Sequence, residues 1–260
     1  MGYQISINQD LDVIKHACTK PMEKIPKALS EYGITTEEMV KFCEDYWAEY
    51  SADCYSYKEY EFNCGLYTMT PDQYKKMIDL LEELRPKRIC ELGSGQSTKI
   101  FETYQNKNTD VALYSIEHDP CFNTHKSIIL TPLLENTEYL QYSGCVIYQD
   151  FDKWLVDQDN FDFVLIDGPN DFLPIGINNP TYSRIQMLSF VNKLNPGAIV
   201  MYHDSNFVGA DSTLCEFEKI LDFNRVRYDK ETITETDKRV IEYNTKVSGL
   251  CPELTIYKLK

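Results

Sequence analysis

No apolar run in this 260-residue chain approaches the ~20 residues needed to cross a bilayer. The opening Met1-Gly-Tyr-Gln leads into polar residues rather than the apolar core of a secretory signal, so the reading is a chain without one. Basic residues are scarce: 26 Lys and Arg stand against 41 Asp and Glu, a formal charge of −15 with no cluster of cations. Such a surface repels phosphate backbones and anionic lipid headgroups, which excludes general nucleic-acid binding and a membrane partner. The nine cysteines include no C-x-x-C pair and no zinc-ligand spacing. Cys90 and Cys145 fall inside apolar runs, where a thiol serves as a small hydrophobe, and a reduced, cytoplasmic setting is expected. Internal repeats and low-complexity tracts are missing too. The length suffices for one large α/β domain with an extension.

What the sequence does have is a series of short apolar runs, each closed by acidic or polar residues. The first, Arg88-Ile-Cys-Glu-Leu92, runs into Gly93-Ser-Gly95-Gln-Ser97-Thr98, a glycine-spaced turn ahead of a helix-like segment. Glycines at 93 and 95 let the backbone turn sharply and approach a ligand. Glu91 beside the turn suits a ligand carrying an ammonium group better than a pyrophosphate. Val111–Ile116 is a second expected strand, ending in Glu117-His118-Asp119. An acid at that distance from the glycine turn is placed to accept hydrogen bonds from ribose hydroxyls. Cys145–Tyr148, followed by Asp150-Phe151, is expected as the third strand. Phe161–Ile166, ending in Asp167-Gly168, is the fourth, and Ala198–Tyr202, ending in His203-Asp204, the fifth. All five place polar groups at one edge of one sheet, where open α/β folds bind ligands.

These motifs resemble the class I S-adenosylmethionine-dependent methyltransferases, over roughly residues 60–260. Glu91–Thr98 matches the family's glycine-rich motif and Glu117 its ribose-binding acid. Asp150 matches the acid that contacts the adenine amino group, and Phe163–Gly168 and Leu194–Gly197 match later motifs. The resemblance implies a Rossmann-like, doubly wound, mostly parallel seven-stranded sheet of order 3-2-1-4-5-7-6. It also implies S-adenosyl-L-methionine as cofactor, lined by Glu91, Gly93, Gly95, Ser97, Thr98, Glu117, His118, Asp150, Phe151 and Asp167. The Ile-Asp-Gly and His-Asp endings look most like O-methyltransferases acting on small molecules.

Residues 1–69 are expected to form a helical extension and 70–260 the cofactor-binding domain. Thr35-Thr-Glu-Glu38 is a capping box ahead of Met39, Phe42, Cys43, Tyr46, Trp47 and Tyr50 at helical spacing. The tyrosine-rich stretch Tyr46–Tyr67 has two readings, packing or a lid in which Tyr55, Tyr57, Tyr60 and Tyr67 face the substrate. Thr70-Pro71 opens a helix with the stripe Tyr74, Met77, Ile78, Leu81 and Leu84. Further on come a loop over 169–180, a helix near Tyr182–Leu194 and another from Asp211 to Phe223. Arg225–Tyr228 and Leu254–Lys258 read as a closing pair of strands.

Two chemistries are open at the reaction centre, for which Asp167, His203 and Asp204 are the candidates. His203 has the side chain of a general base. Alternatively, Asp167 and Asp204 bind a hard cation such as Mg²⁺ that acidifies an acceptor hydroxyl. The metal pattern departs from known types: Asp204-Ser205-Asn206 replaces the Asp-Asn of catechol enzymes, and Pro169-Asn170-Asp171 the histidine of macrolide-sugar enzymes. The leading function is methylation of a hydroxyl on a small-molecule acceptor. An NAD-binding oxidoreductase is a second reading, opposed by Glu91 and by Ser97 in place of a third glycine. A non-catalytic module that kept the fold is a third. Whether the chain forms a homo-oligomer is left open.

Overall fold

The computed structural model describes residues 54–64, 68–118, 126–169, 182–248 and 250–260. The expected helix after Thr35, Tyr67 and nearly all of the 169–180 loop lie outside them. The chain's first described element differs from the all-helical extension expected. Strands β1 (Cys54–Tyr57) and β2 (Tyr60–Asn63) form an antiparallel hairpin around Lys58-Glu59. The alternation Tyr60-Glu-Phe62-Asn has the period of a strand, and it buries Tyr60 and Phe62 while leaving Glu61 exposed.

Helix α1 (Pro71–Leu84) starts where proline sits in the first turn, and the Gln73 side chain accepts a hydrogen bond from the Thr70 N–H at 3.0 Å. It ends at Arg85, whose left-handed φ of 49° closes the last turn before Pro86. Strand β3 (Arg88–Leu92), helix α2 (Gln96–Lys107) and strand β4 (Ala112–Glu117) follow as a parallel unit.

The third strand of the main sheet is β5 (Ile128–Leu130), not the Cys145–Tyr148 segment expected. That segment belongs to β7 (Tyr142–Tyr148), which pairs antiparallel with β6 (Leu133–Tyr139) in a separate hairpin. With only three residues, β5 carries too little pattern to outweigh the longer apolar run of β7. After α3 (Phe151–Val156) come β8 (Phe161–Ile166), a 3-10 helix over Ile185–Lys193 and β9 (Leu194–His203). The chain closes with α4 (Ala210–Phe223), β10 (Tyr228–Ile233), α5 (Lys238–Ser248) and β11 (Leu254–Leu259).

The main sheet has seven strands in the order β5-β4-β3-β8-β9-β11-β10. The first five are parallel, β11 runs antiparallel to β9, and β10 runs antiparallel to β11. The fold is therefore the doubly wound, mostly parallel α/β sheet expected, with a different segment as its third strand. Alternation along the central strands splits the core. Cys90, Leu92, Val164, Ile166, Val200 and Tyr202 face the 3-10 helix and α4. Ile89, Phe163, Leu165, Ile199 and Met201 face α1, α2 and the β1–β2 hairpin.

The hairpin shares this second core, so residues 54–63 pack as part of the domain rather than apart from it. Tyr57 and Tyr60 donate to Asp79 and Glu82 on α1, and Tyr55 stacks on Phe62. Those α1 residues lead towards the start of β3, the edge opposite the strand ends that carry the candidate chemistry. All three tyrosines thus make packing contacts with α1 or within the hairpin. Among the described residues, no helix is long and apolar enough to cross a membrane.

Candidate functional site

The topology brings Gly93, Glu117, Asp167 and His203 to the carboxyl edge of four adjacent strands, β3, β4, β8 and β9. Gly93 is held there by two constraints at once. Its φ is +87°, and a Cβ would sit 2.7 Å from the Asp167 carbonyl oxygen and 2.9 Å from the Gly168 nitrogen. Gly168 is locked from the other side, since a Cβ there would meet the Tyr148 hydroxyl and the Gly93 Cα. The first and fourth strand ends thus touch backbone to backbone. Gly95 is different. Its φ of 170° is extended backbone open to any residue, and nothing among the described residues lies within 4 Å of the Cβ it lacks. Glycine here leaves open volume beside the turn, the space a ligand backbone approach needs.

Glu91 has another occupation than the ammonium contact expected. Alternation on β3 points it under the start of α2, where it is fully buried. One carboxylate oxygen accepts from Ser97 Oγ; the other accepts from Thr98 Oγ1 at 2.6 Å and Ser115 Oγ at 2.8 Å. Thr98 Oγ1 in turn accepts the Gly95 N–H at 2.9 Å. Glu91, Ser97 and Thr98 therefore brace the turn from beneath. Burial outweighs the three hydroxyl donors and pushes the Glu91 carboxyl up to about 8.

Because the folded chain holds a proton on Glu91 that the unfolded chain releases near pH 4.5, this contribution to stability is full below that pH and lost as pH rises through about 8. Glu91→Gln keeps the neutral shape. Its melting temperature should fall less than the wild type's between pH 5 and 8, by several degrees. Parallel curves for the two proteins would show that Glu91 is ionised throughout.

Glu117 ends β4 with its side chain turned to the glycine turn, and it is 4% exposed. Oε2 accepts from the Ser94 N–H at 2.9 Å and from Ser94 Oγ at 3.1 Å; Oε1 accepts from the His118 N–H at 2.7 Å. His118 lies beside it, Nδ1 2.9 Å from Glu117 Oε1, its ring tilted against Tyr148. A carboxylate fixed beside an open glycine turn is a ready acceptor for a diol.

The remaining cofactor candidates separate. Asp150 follows β7, whose end is tied to the exit of β5: the Gln149 N–H donates to the Pro132 carbonyl at 2.7 Å, and Thr131 Oγ1 donates to the Gln149 carbonyl. Asp150 itself is exposed and pairs with Lys153. Phe151 does not line the site. It is 2% exposed, packed among Trp154 and Phe190 with ring centroids 5.8 and 5.5 Å away. The cofactor contact that the resemblance implies at this position is taken up by core packing.

Asp167, His203 and Asp204 do converge. His203 Nδ1 lies 2.7 Å from Asp167 Oδ1 and 3.4 Å from Asp204 Oδ2. The imidazole is 2% exposed, and its Nε2 is buried with no hydrogen-bond partner among the described residues. Burial alone would lower the His203 pKa, but the charges of Asp204 and Asp167 and the hydrogen bond to Asp167 override burial and the opposing Arg184 charge. The net effect holds it above the ordinary histidine value.

Arg184 completes the cluster. Its guanidinium lies 2.7 Å from Asp204 Oδ2 and 3.4 Å from Asp167 Oδ1, and it donates to the His203 carbonyl at 2.5 Å. Asp167, His203 and Asp204 have ligand-type atoms within 4.8 Å of one another. A hard cation does not fit them, because a permanent cation already bridges both carboxylates. The expectation of Mg²⁺ on Asp167 and Asp204 gains no support from this arrangement. Arg184 escaped notice in the sequence; the available signal was its being the lone basic residue between Lys153 and Lys193.

No protein-family model matches the chain, and no curated protein is similar to it in sequence. Among solved structures it is similar to an O-methyltransferase from Streptomyces achromogenes involved in tomaymycin synthesis, in complex with SAM. That likeness has 14% identity and a TM-score of 0.46 over 75% of this chain and 82% of the other. It is also similar to an SAH complex of a Bacillus cereus O-methyltransferase, at 11% identity and TM-score 0.46 over 75% and 83% of the two chains. A third is an SAH-bound methyltransferase from Podospora anserina, at 14% identity and TM-score 0.43 over 75% and 80%.

Proposed function

We propose that this protein is an S-adenosylmethionine-dependent methyltransferase that methylates a hydroxyl of a small molecule. The observation that carries the reading is Glu117, a nearly buried carboxylate set against a glycine turn whose Gly95 leaves its Cβ volume open. In this reading Glu117 exchanges Ser94 for the ribose diol, and His118 and Asp150 flank the nucleoside. The bound cofactor supplies an electrophilic methyl group on a sulfonium. The protein's own part is to align the acceptor with it and to remove a proton.

His203 suits that second task. Its Nδ1–H is directed to Asp167, which leaves the Nε2 lone pair as the group that takes the acceptor's proton. An acceptor hydroxyl that takes the methyl group, with the carbon–sulfur bond breaking and S-adenosylhomocysteine leaving, would give up its proton to Nε2, and the imidazolium would be held by Asp167 and Asp204. The acidic surface supports a small-molecule rather than nucleic-acid acceptor.

Glu117→Ala tests the cofactor half. Hydrogen bonds to a charged group contribute about 1.5–3 kcal/mol each, so the variant should bind S-adenosylhomocysteine about 10- to 100-fold more weakly by calorimetry. Wild-type affinity in a folded variant would remove Glu117 from the site.

A further inference from the structure

The cluster at the ends of β8 and β9 has the composition of a small metal site, two carboxylates and an imidazole with ligand atoms within 4.8 Å of one another. Its occupant is part of the chain. Arg184 is fixed before it reaches the carboxylates: the neighbouring Ser183 carbonyl accepts from Tyr202 at 2.8 Å and from Thr213 at 2.6 Å. The Ser183 N–H also donates to the Gly209 carbonyl at 3.1 Å. From that anchor the guanidinium passes 5.8 Å from the Tyr202 ring and ends between Asp204 and Asp167, its side chain only 10% exposed.

We propose that Arg184 is the resident cation of the reaction centre, taking the place of a divalent ion between Asp167 and Asp204 and making the site refuse one. The inference rests on the proposed function for its catalytic meaning, not for its geometry. Charge explains why one arginine differs from a metal. Two carboxylates and one guanidinium leave a net charge of −1 beside a neutral His203. When His203 takes a proton the cluster becomes neutral. A divalent ion would neutralise the carboxylates beforehand and draw the imidazole into its own coordination shell. Arg184 thus positions both aspartates, keeps the metal out, and leaves one negative charge to receive a proton on His203.

Manganese(II) is a suitable probe, since it accepts mixed carboxylate and imidazole ligands and its free form is counted by electron paramagnetic resonance. Full-length wild type should bind no Mn²⁺ at this cluster at concentrations up to about 1 mM, the weak end of protein sites for hard cations. Arg184→Ala should gain one Mn²⁺ bound at least about tenfold more tightly than by wild type, and Asp204→Asn added to it should abolish the gain. Arg184→Met keeps most of the side-chain volume and replaces the alanine variant if circular dichroism shows that one unfolded. Wild type binding one Mn²⁺ that Asp204→Asn removes would overturn the proposal. So would folded Arg184 variants that bind no more Mn²⁺ than wild type. Titration of wild type with S-adenosylhomocysteine keeps the two claims apart: absence of binding refutes the methyltransferase reading and leaves the arginine-for-metal geometry as measured by Mn²⁺.

Discussion

Gly93→Val should lower the melting temperature by about 5–20 °C and remove ligand binding with it. A β-branched residue at φ +87° is strained by roughly 1–3 kcal/mol, and forcing atoms into a filled contact adds a similar amount. The contact is backbone, the Asp167 carbonyl at 2.7 Å, so no side chain can swing away. For a chain of this size each kcal/mol corresponds to about 2–4 °C. Gly95→Ala is the informative partner. With extended backbone and an open Cβ position, its melting temperature should stay within about 2 °C of wild type while S-adenosylhomocysteine binding weakens. Equal melting temperatures for Gly93→Val and wild type would mean that the two strand ends do not meet as described. Unchanged affinity in Gly95→Ala would mean that the ligand does not use the open side of the turn.

His203→Ala should reduce the turnover rate by about 10²–10⁴-fold, the usual contribution of a general base, with little change in cofactor affinity. The base must be unprotonated, and the surrounding carboxylates hold its pKa above the ordinary value, so wild-type rate should climb with pH through that raised pKa. Asp167→Asn removes one of the raising charges, and the midpoint of the climb should move to lower pH. A full rate in His203→Ala, or a profile flat from pH 6 to 9, would leave proton removal to another group. Chelator should leave the wild-type rate unchanged.

The sequence made the strand ends legible because their signal is local. An apolar run closed by an acid or glycine needs no tertiary knowledge, and Gly93, Glu117, Asp167, His203 and Asp204 were found in that way. What it could not give was direction. Glu91 and Glu117 both lie at the carboxyl ends of adjacent strands, yet one side chain turns under α2 into three hydroxyls and the other turns to the glycine turn. Which way each faces depends on strand register and on where Ser97, Thr98 and Ser115 arrive from elsewhere.

Segment identity failed for a related reason. The β7 run is longer than β5, but the main sheet extends through the three-residue β5 because it lies parallel to β4. The hairpin at Cys54–Asn63 was hidden because its tyrosines satisfy a helical stripe and a period of two equally well. Arg184 carried almost no signal alone. Its meaning comes from the return of β9, which sets Asp204 beside it.

The most direct test of the account is calorimetric titration of the full-length protein with S-adenosylhomocysteine and, separately, with NADH. The strand-end geometry predicts one molecule of S-adenosylhomocysteine bound per chain and no heat from NADH. Saturable NADH binding, or no binding of S-adenosylhomocysteine by the folded protein, would contradict it.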